Sequence, residues 1–234
     1  MKTKTLNVVK NEDGLLYLTF PNIHGTDCVA AFTTRMGGVS RGQYAAMNMS
    51  FTGGDDPKAV RQNYNILFES LGLDPERAVL SHQTHTKNIK TVTADDIGKG
   101  IVKDRDYDNI DGLITNIKGV ALVTQYADCV PLVFYDKVKR VVATSHAGWR
   151  GTVQEIGKET VLKMAAEFGS NQSDIMVGIG PSIGSCCYEV DDPVVEKFKE
   201  LDFLKLSDII FPVGNGKYML DLVEANRQIL VFSG

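Results

Sequence analysis

The chain has 234 residues, a hydrophobic content of 43% and a formal net charge of −4 at pH 7. This length supports one sizeable core, and helix and strand patterns alternate without an internal repeat, so we predict one mixed α/β domain of the α+β class over residues 1–234. Nucleic acids and anionic membranes are usually bound by clustered lysines and arginines. The basic residues of this chain are scattered, so we do not expect it to bind either partner.

Targeting signals and cysteine usage indicate the cellular compartment of the protein. The N-terminus lacks an apolar stretch long enough for a secretory signal, and no later segment is apolar enough to span a bilayer. We therefore expect a cytoplasmic protein. The cysteines agree with this, because Cys28 and Cys129 are isolated while Cys186 and Cys187 are adjacent, which is poor geometry for an ordinary structural disulfide.

The first part of the chain predicts two strands and a helix. Residues 15–20 and 28–34 have strand patterns, and the second leads into a glycine-bearing loop that carries Arg35. That arginine is either a solvated cation on a tight turn or an anion clamp. A capping carboxylate at Asp56 and a proline at the first helical position, Pro57, predict a helix start, and apolar residues at helical spacing follow.

Two histidines follow the next predicted strand, residues 78–81. His82 and His85 are three residues apart, so in extended backbone they point to opposite faces and only one is expected to face a site. Either one alone is equally well explained as a surface histidine. The Asp-rich segment at residues 90–120 contains one strand-like patch, residues 112–115, and we assign no chemistry to it.

Three short apolar runs with polar ends form the centre of the chain, at residues 120–124, 130–135 and 141–144. Asp128 and Cys129 lie between the first two runs, and His146 closes the third. If the last two runs pair as a hairpin, Cys129 and His146 lie at the same sheet edge. Asp128 is a candidate general base, although adjacent strand residues face opposite ways unless the gap bends.

A turn after His146 predicts an anion site. Residues 152–155 match a capping box, so Thr152 is expected to begin a helix. A helix N-terminus offers unpaired N–H groups and partial positive charge, which suit phosphate, and Arg150 lies two residues earlier. Such a turn is nevertheless common in any α/β protein.

The last part of the chain predicts a strand at residues 174–179 and helices at residues 194–201 and 220–230. The intervening loop is rich in glycine and carries Cys186 and Cys187, for which a small buried side chain is the default role. The chain stops soon after its last helical pattern, so we expect a truncated or altered C-terminus.

His85, Cys129 and His146 together offer two imidazoles and one thiolate. With a fourth position for water, this set suits a catalytic zinc, which lowers the pKa of its bound water to roughly 7. The same residues also suit a blue-copper site or the nucleophile and base of a Cys-His hydrolase. A conventional multicopper laccase is disfavoured, since the 4 histidines of the chain are too few for its copper centres.

Several motifs resemble one family, namely FTTRMGGVSRGQYAAMNMS, QTHTKN, ADCVPLVFYD, HAGWRGT and GIGPSIGSCCYEV. The family is variously called polyphenol oxidoreductase, laccase-domain protein, purine nucleoside phosphorylase and peptidoglycan editing factor, and the likeness is to its YlmD and YfiH type. The resemblance extends over residues 32–226 and implies a YfiH-like fold. Its members usually continue past the last helix with a Cys-Thr segment and a Phe-Phe-Ser-x-Arg strand, which this chain lacks.

The resemblance also implies a site and an activity. It implies zinc, with copper less expected, at His85, Cys129 and His146, and it favours His85 over His82 because the family pattern is Gln-x-His. It implies purine nucleosides and phosphate as partners, through phosphorolysis of adenosine, inosine and methylthioadenosine, with adenosine deamination as a companion activity. The residues expected to act in catalysis are Cys129, His146 and Asp128, and those expected to bind substrate are Arg35, Asn48, Arg150 and Thr152. Two alternatives stay open: a Cys-His hydrolase that edits cell-wall precursors, and a non-enzymatic metal-binding scaffold.

Overall fold

The computed structural model describes residues 5–25 and 27–234. Its strands are β1 (Asn7–Lys10), β2 (Leu16–Thr19), β3 (Ala31–Thr33), β4 (Ala78–Leu80), β5 (Ile89–Thr91), β6 (Gly112–Thr115), β7 (Ala121–Val123), β8 (Val130–Asp136), β9 (Val141–Ala147), β10 (Ile175–Ile179), β11 (Glu189–Asp191), β12 (Ile210–Gly214) and β13 (Lys217–Leu220). Its α-helices are α1 (Pro57–Ser70), α2 (Trp149–Val153), α3 (Ile156–Phe168), α4 (Asp192–Lys199) and α5 (Leu222–Phe232). Several sheets, the largest of them mixed, are flanked by helices and confirm the predicted α+β class.

A five-stranded sheet in the order β10-β8-β9-β6-β5 carries the centre of the fold. β8 and β9 form the predicted antiparallel hairpin, closed by a turn in which Asp136 accepts hydrogen bonds from the backbone of Val138 and Lys139. β9 is longer than the apolar run predicts and includes His146. β5 and β6 pair in parallel, and β6 pairs antiparallel to β9, which brings a distant part of the chain beside His146.

The largest core lies between this sheet and the helices that cover it. Leu132 and Phe134 of β8 pack there with Ile156 and Met164 of α3, all fully buried. α3 lies close to the sheet at Gly157, where a Cβ would lie 3.2 Å from Leu132 Cδ1, tighter than most side-chain contacts. Burial of this apolar face, rather than helix propensity, is the main reason that α3 is stable.

A second core joins α1 to the small sheet β1-β2-β3. Asp56 caps α1 by accepting a hydrogen bond from the backbone of Lys58, as predicted, and α1 buries Val60, Tyr64, Leu67 and Phe68. The first central run forms β7, which pairs in parallel with β4 and not with the five-stranded sheet.

The predicted capping box at residues 152–155 is wrong. α2 ends at Val153, Glu155 adopts a left-handed conformation with φ 58°, and α3 begins at Ile156. Thr152 is fully buried within α2, where its hydroxyl accepts a hydrogen bond from Asn226 Nδ2 at 2.9 Å. Thr152 therefore begins no helix; the helix that follows His146 is α2, which begins at Trp149, and the part of Thr152 in binding an anion stays a prediction.

The C-terminal part differs from the predicted two helices by an additional hairpin. β12 and β13 pair antiparallel, and Asp221 caps α5 by accepting from the backbone of Glu224. The tight turn between the strands contains Asn215 at φ 54°, flanked by two glycines with positive φ. Among the described helices, none has the length and apolar character needed to cross a bilayer.

Candidate metal centre

The three predicted ligands come together. One donor atom from each of His85, Cys129 and His146 lies within 4.8 Å of the others. His85 Nε2 is 3.8 Å from Cys129 Sγ, and the two imidazole ring centres are 4.9 Å apart. A tetrahedral zinc with ordinary bond lengths separates a nitrogen and a sulfur ligand by about 3.6 Å. The spacing of the donor atoms therefore suits a single ion.

Strand register places Cys129 beside His146. Pro131 of β8 is opposite His146 of β9, and Val130 is opposite Ala147. Cys129 immediately precedes β8, in a bend, so it lies at the end of β9. This is the arrangement that the hairpin predicts.

Gln83 holds the loop that carries His85. Its side-chain oxygen accepts a hydrogen bond from the backbone N–H of Gln125 at 2.7 Å, and its amide nitrogen donates to the carbonyl of Gln125. Gln125 precedes the bend that contains Cys129, so this two-point contact joins the His85 loop to the Cys129 bend. The structure thus gives a physical role to the glutamine of the Gln-x-His pattern.

Asp111, to which the sequence assigns no chemistry, organises the site. It is fully buried, and its Oδ1 accepts hydrogen bonds from His146 Nδ1 at 2.8 Å and from the backbone of His85 at 3.0 Å. Its Oδ2 accepts from the backbone of Thr84 and from both the backbone and the hydroxyl of Thr86. With Nδ1 engaged, Nε2 is the nitrogen of His146 that remains for a metal, as in carboxylate–histidine–zinc arrangements.

The ionisation of these groups follows from burial and from the Asp111 contact. Burial opposes charge on both partners, yet their hydrogen bond raises the pKa of His146 and lowers the pKa of Asp111. Burial and the charge of His146 lower the pKa of His85. The Asp111 carboxylate stays ionised behind His146, and the imidazole of His85 stays neutral. Both conditions favour binding of a cation.

Gly148 keeps space open between the ligands. A Cβ at this position would lie 2.8 Å from Cys129 Sγ and 2.9 Å from His85 Cδ2, closer than side chains tolerate. Any other residue would therefore displace the thiol or the imidazole. The donor set, the oriented His146 and this space would fit a metal ion held by three protein ligands.

Two of the predicted catalytic and substrate-binding residues lie beside the ligands. Arg150 is exposed, its guanidinium lies 4.3 Å over the ring of Trp149, and its charge contributes to lowering the pKa of His85. Asp128 is exposed in the bend next to Cys129, and its carbonyl accepts a hydrogen bond from the backbone of Ile183 at 2.9 Å. Thr152 is fully buried, and its backbone donates a hydrogen bond to the carbonyl of Gly148 at 2.8 Å.

Arg35 and Asn48 lie instead on an open groove of about 1090 Å³. Arg35 donates to the carbonyl of Ala45, and Asn48 donates to Asp55 Oδ2 at 2.9 Å. The three ligands do not line this groove, but Tyr126 does, and its ring centre is 5.7 Å from that of His146. The groove and the metal centre are thus neighbours that share the wall formed by Tyr126.

Comparison with known proteins places the chain among named relatives. Residues 29–234 match the family model described as multi-copper polyphenol oxidoreductase laccase. Purine nucleoside phosphorylase YlmD of Bacillus subtilis (strain 168) is 39% identical over 217 residues, which cover 91% of this chain and 77% of that protein. Adenosine deaminase RL5, from an unknown prokaryotic organism, is 37% identical over 212 residues, which cover 88% of this chain and 79% of that protein.

The fold is also found in a solved structure. The crystal structure of the Bacillus licheniformis hypothetical protein YfiH matches with a TM-score of 0.86 at 33% identity, covering 97% of this chain and 84% of that chain. This confirms the predicted YfiH-like fold. Together with the family model, it shows that the chain belongs to the multi-copper polyphenol oxidoreductase laccase family.

Proposed function

We propose that this chain is a zinc-dependent purine nucleoside phosphorylase that acts on adenosine, inosine and methylthioadenosine and also deaminates adenosine. The observation that carries the proposal is the convergence of His85, Cys129 and His146 around the space that Gly148 leaves open. The names of the two relatives, a purine nucleoside phosphorylase and an adenosine deaminase, support it.

Zinc suits this site better than copper. Two imidazoles, one thiolate and an open fourth side form a donor set typical of catalytic zinc. When bound, zinc supplies a Lewis acid that polarises water or a substrate atom near neutral pH. The chain's own contribution is to fix the three donors, and Asp111 does this for His146 and for the backbone of His85.

The groove beside the metal centre is large enough for a nucleoside, since small-molecule pockets are commonly about 300–1,000 Å³ and this groove measures about 1090 Å³. In phosphorolysis a phosphate oxygen bonds to the ribose C1′ while the bond from C1′ to the base breaks. Arg150, beside the ligands, and Arg35, on the groove, are the cations that would hold phosphate. Asp128 is the exposed carboxylate that would hold a proton during water attack in deamination.

The test incubates the zinc-loaded protein with adenosine, with and without phosphate. We expect ribose 1-phosphate and adenine only when phosphate is present, and inosine and ammonia in both samples. A His146→Gln variant purified in the same way controls for contaminating host enzymes. Absence of ribose 1-phosphate from the complete reaction would refute phosphorolysis.

A second candidate is a Cys-His hydrolase that acts on cell-wall precursors. It is favoured by one observation, the series Cys129, His146 and Asp111, in which a buried carboxylate orients an imidazole that interacts with a thiol. This is the order of nucleophile, base and orienting group in hydrolytic triads. Alkylation of Cys129 stops activity under either proposal, but only the zinc enzyme loses turnover with a chelator and regains it when zinc is returned.

A further inference from the structure

The loop after β10 carries two neighbouring thiols on an anchored turn. The backbone of Gly180 donates to the carbonyl of Pro131, and that of Ile183 donates to the carbonyl of Asp128, both at 2.9 Å. Further along, the backbone of Cys187 donates to the carbonyl of Gly184 at 2.9 Å. The turn is therefore held against the polypeptide next to the metal centre.

Both thiols of this turn are exposed, contrary to the small buried role expected from the sequence. Cys186 Sγ and Cys187 Sγ are 3.3 Å apart, and neither is in a disulfide. The hydrogen bond between the two thiols raises the pKa of Cys187. Cys28, in contrast, is buried, and burial raises its pKa to about 11.

The geometry favours chelation over a disulfide bond. Adjacent Cα atoms are about 3.8 Å apart across a trans peptide, which is shorter than the roughly 4.4–6.8 Å that disulfides span. A thiophilic centre bonded to both sulfurs does not require the two Cα atoms to move apart. With bonds of about 2.3 Å to each sulfur, one centre joins sulfurs 3.3 Å apart at an S–centre–S angle of roughly 90°.

We propose that Cys186 and Cys187 form a second binding site, separate from the His85, Cys129 and His146 centre, that chelates thiophilic metalloid centres such as trivalent organoarsenicals. The reaction with an arsine oxide, R–As=O, is a condensation without change of oxidation state. Two As–S bonds form, the As–O bond breaks, and the two thiol protons leave with the oxygen as water.

The test uses phenylarsine oxide as the probe on the reduced, zinc-loaded protein, with intact-mass measurement after removal of excess reagent. We expect one arsenic per chain, removed by a competing small dithiol. Cys186→Ser and Cys187→Ser are each expected to lose the adduct, because one thiol cannot close the chelate. Cys28→Ser, the matched control, is expected to keep it.

Two results would overturn the proposal. One is a stoichiometric adduct that survives in the Cys186→Ser/Cys187→Ser double variant, which would place the arsenical on another thiol such as Cys129. The other is no adduct on the wild-type protein while a thiol-titrating reagent shows that both cysteines are free and reactive. Both substitutions are at exposed positions, and the zinc content of each variant checks that the neighbouring centre is intact.

Discussion

Two histidine–carboxylate pairs in this molecule have similar geometry and opposite surroundings. His146 Nδ1 lies 2.8 Å from Asp111 Oδ1, and His82 Nδ1 lies 3.0 Å from Asp108 Oδ1. The side chains of the first pair are 6% and 0% exposed, whereas those of the second are 38% and 80% exposed. The contact distance alone therefore does not distinguish a structural surface pair from part of a functional site.

The difference lies in what else the carboxylate does. Asp111 also accepts hydrogen bonds from the backbone of Thr84, His85 and Thr86, so it fixes His146 and the His85 loop together. Such bonds are strengthened by the low dielectric of a buried position. An exposed pair such as His82 and Asp108 contributes little, typically about 0–1 kcal/mol.

The largest expected effect separates the two histidines. His146→Gln should lower phosphorolysis and deamination on the order of 10³-fold, since removing a zinc ligand forfeits several kcal/mol of transition-state stabilisation. His82→Gln should leave kcat/KM within about twofold, because an exposed pair contributes little. Steady-state kinetics with adenosine measures both variants. A large loss of kcat/KM in His82→Gln, with zinc still bound, would contradict the view that the exposed His82 contributes little to activity.

The next effect separates the two carboxylates. Asp111→Asn should weaken zinc binding by about 10–100-fold, because it leaves the ligands in place but replaces an acceptor of several hydrogen bonds. Competition with a chromophoric chelator gives the affinity. Asp108→Asn is the control and should bind zinc as the wild type does. Equal affinities for the two variants would contradict the role assigned to Asp111.

A smaller effect appears in the pH dependence of the metal-free protein. Asp111 has a lowered pKa, so its contribution is present above the ordinary aspartate pKa and is lost as pH falls through about 2. His146 has a raised pKa, so its contribution is present below the ordinary histidine pKa and is lost as pH rises through about 9. Denaturant unfolding should therefore show a plateau between about pH 4 and pH 6.5, falling by on the order of 2 kcal/mol on each side.

Asp111→Asn and Asp108→Asn test which pair gives rise to this pH dependence of unfolding. Asp111→Asn should flatten it, while Asp108→Asn should leave it as in the wild type. A profile that changes only with Asp108→Asn would mean that the exposed pair, and not the buried one, is coupled to folding.

Local pattern was sufficient to predict part of the site. The β8–β9 hairpin fixes the register that brings Cys129 next to His146. Only His85 of the pair His82 and His85 joins the ligand group, as expected, but it lies in a bend with φ 64° and not in the extended backbone from which the expectation was argued. The motif resemblance was needed to choose His85. Asp111 could not be found because its neighbours arrive through non-local pairing of β5, β6 and β9. Its only sequence signal is a carboxylate directly before the apolar strand β6.

Two other predictions failed because tertiary contacts override local signals. Thr152 matches a capping box, but its hydroxyl is buried against Asn226. Cys186 and Cys187 were expected to be small buried side chains, but the turn after β10 leaves both at the surface. In each case the deciding contacts come from segments distant in sequence.

The most direct test of the central claim is the metal content of the freshly purified protein and of its His85→Ala and His82→Ala variants, measured by elemental analysis. We predict about one zinc and no copper per chain for the wild type, because the three ligands form one open site. We predict the same content for His82→Ala and little or none for His85→Ala. Copper in place of zinc, or zinc that persists in His85→Ala but not in His82→Ala, would contradict the account.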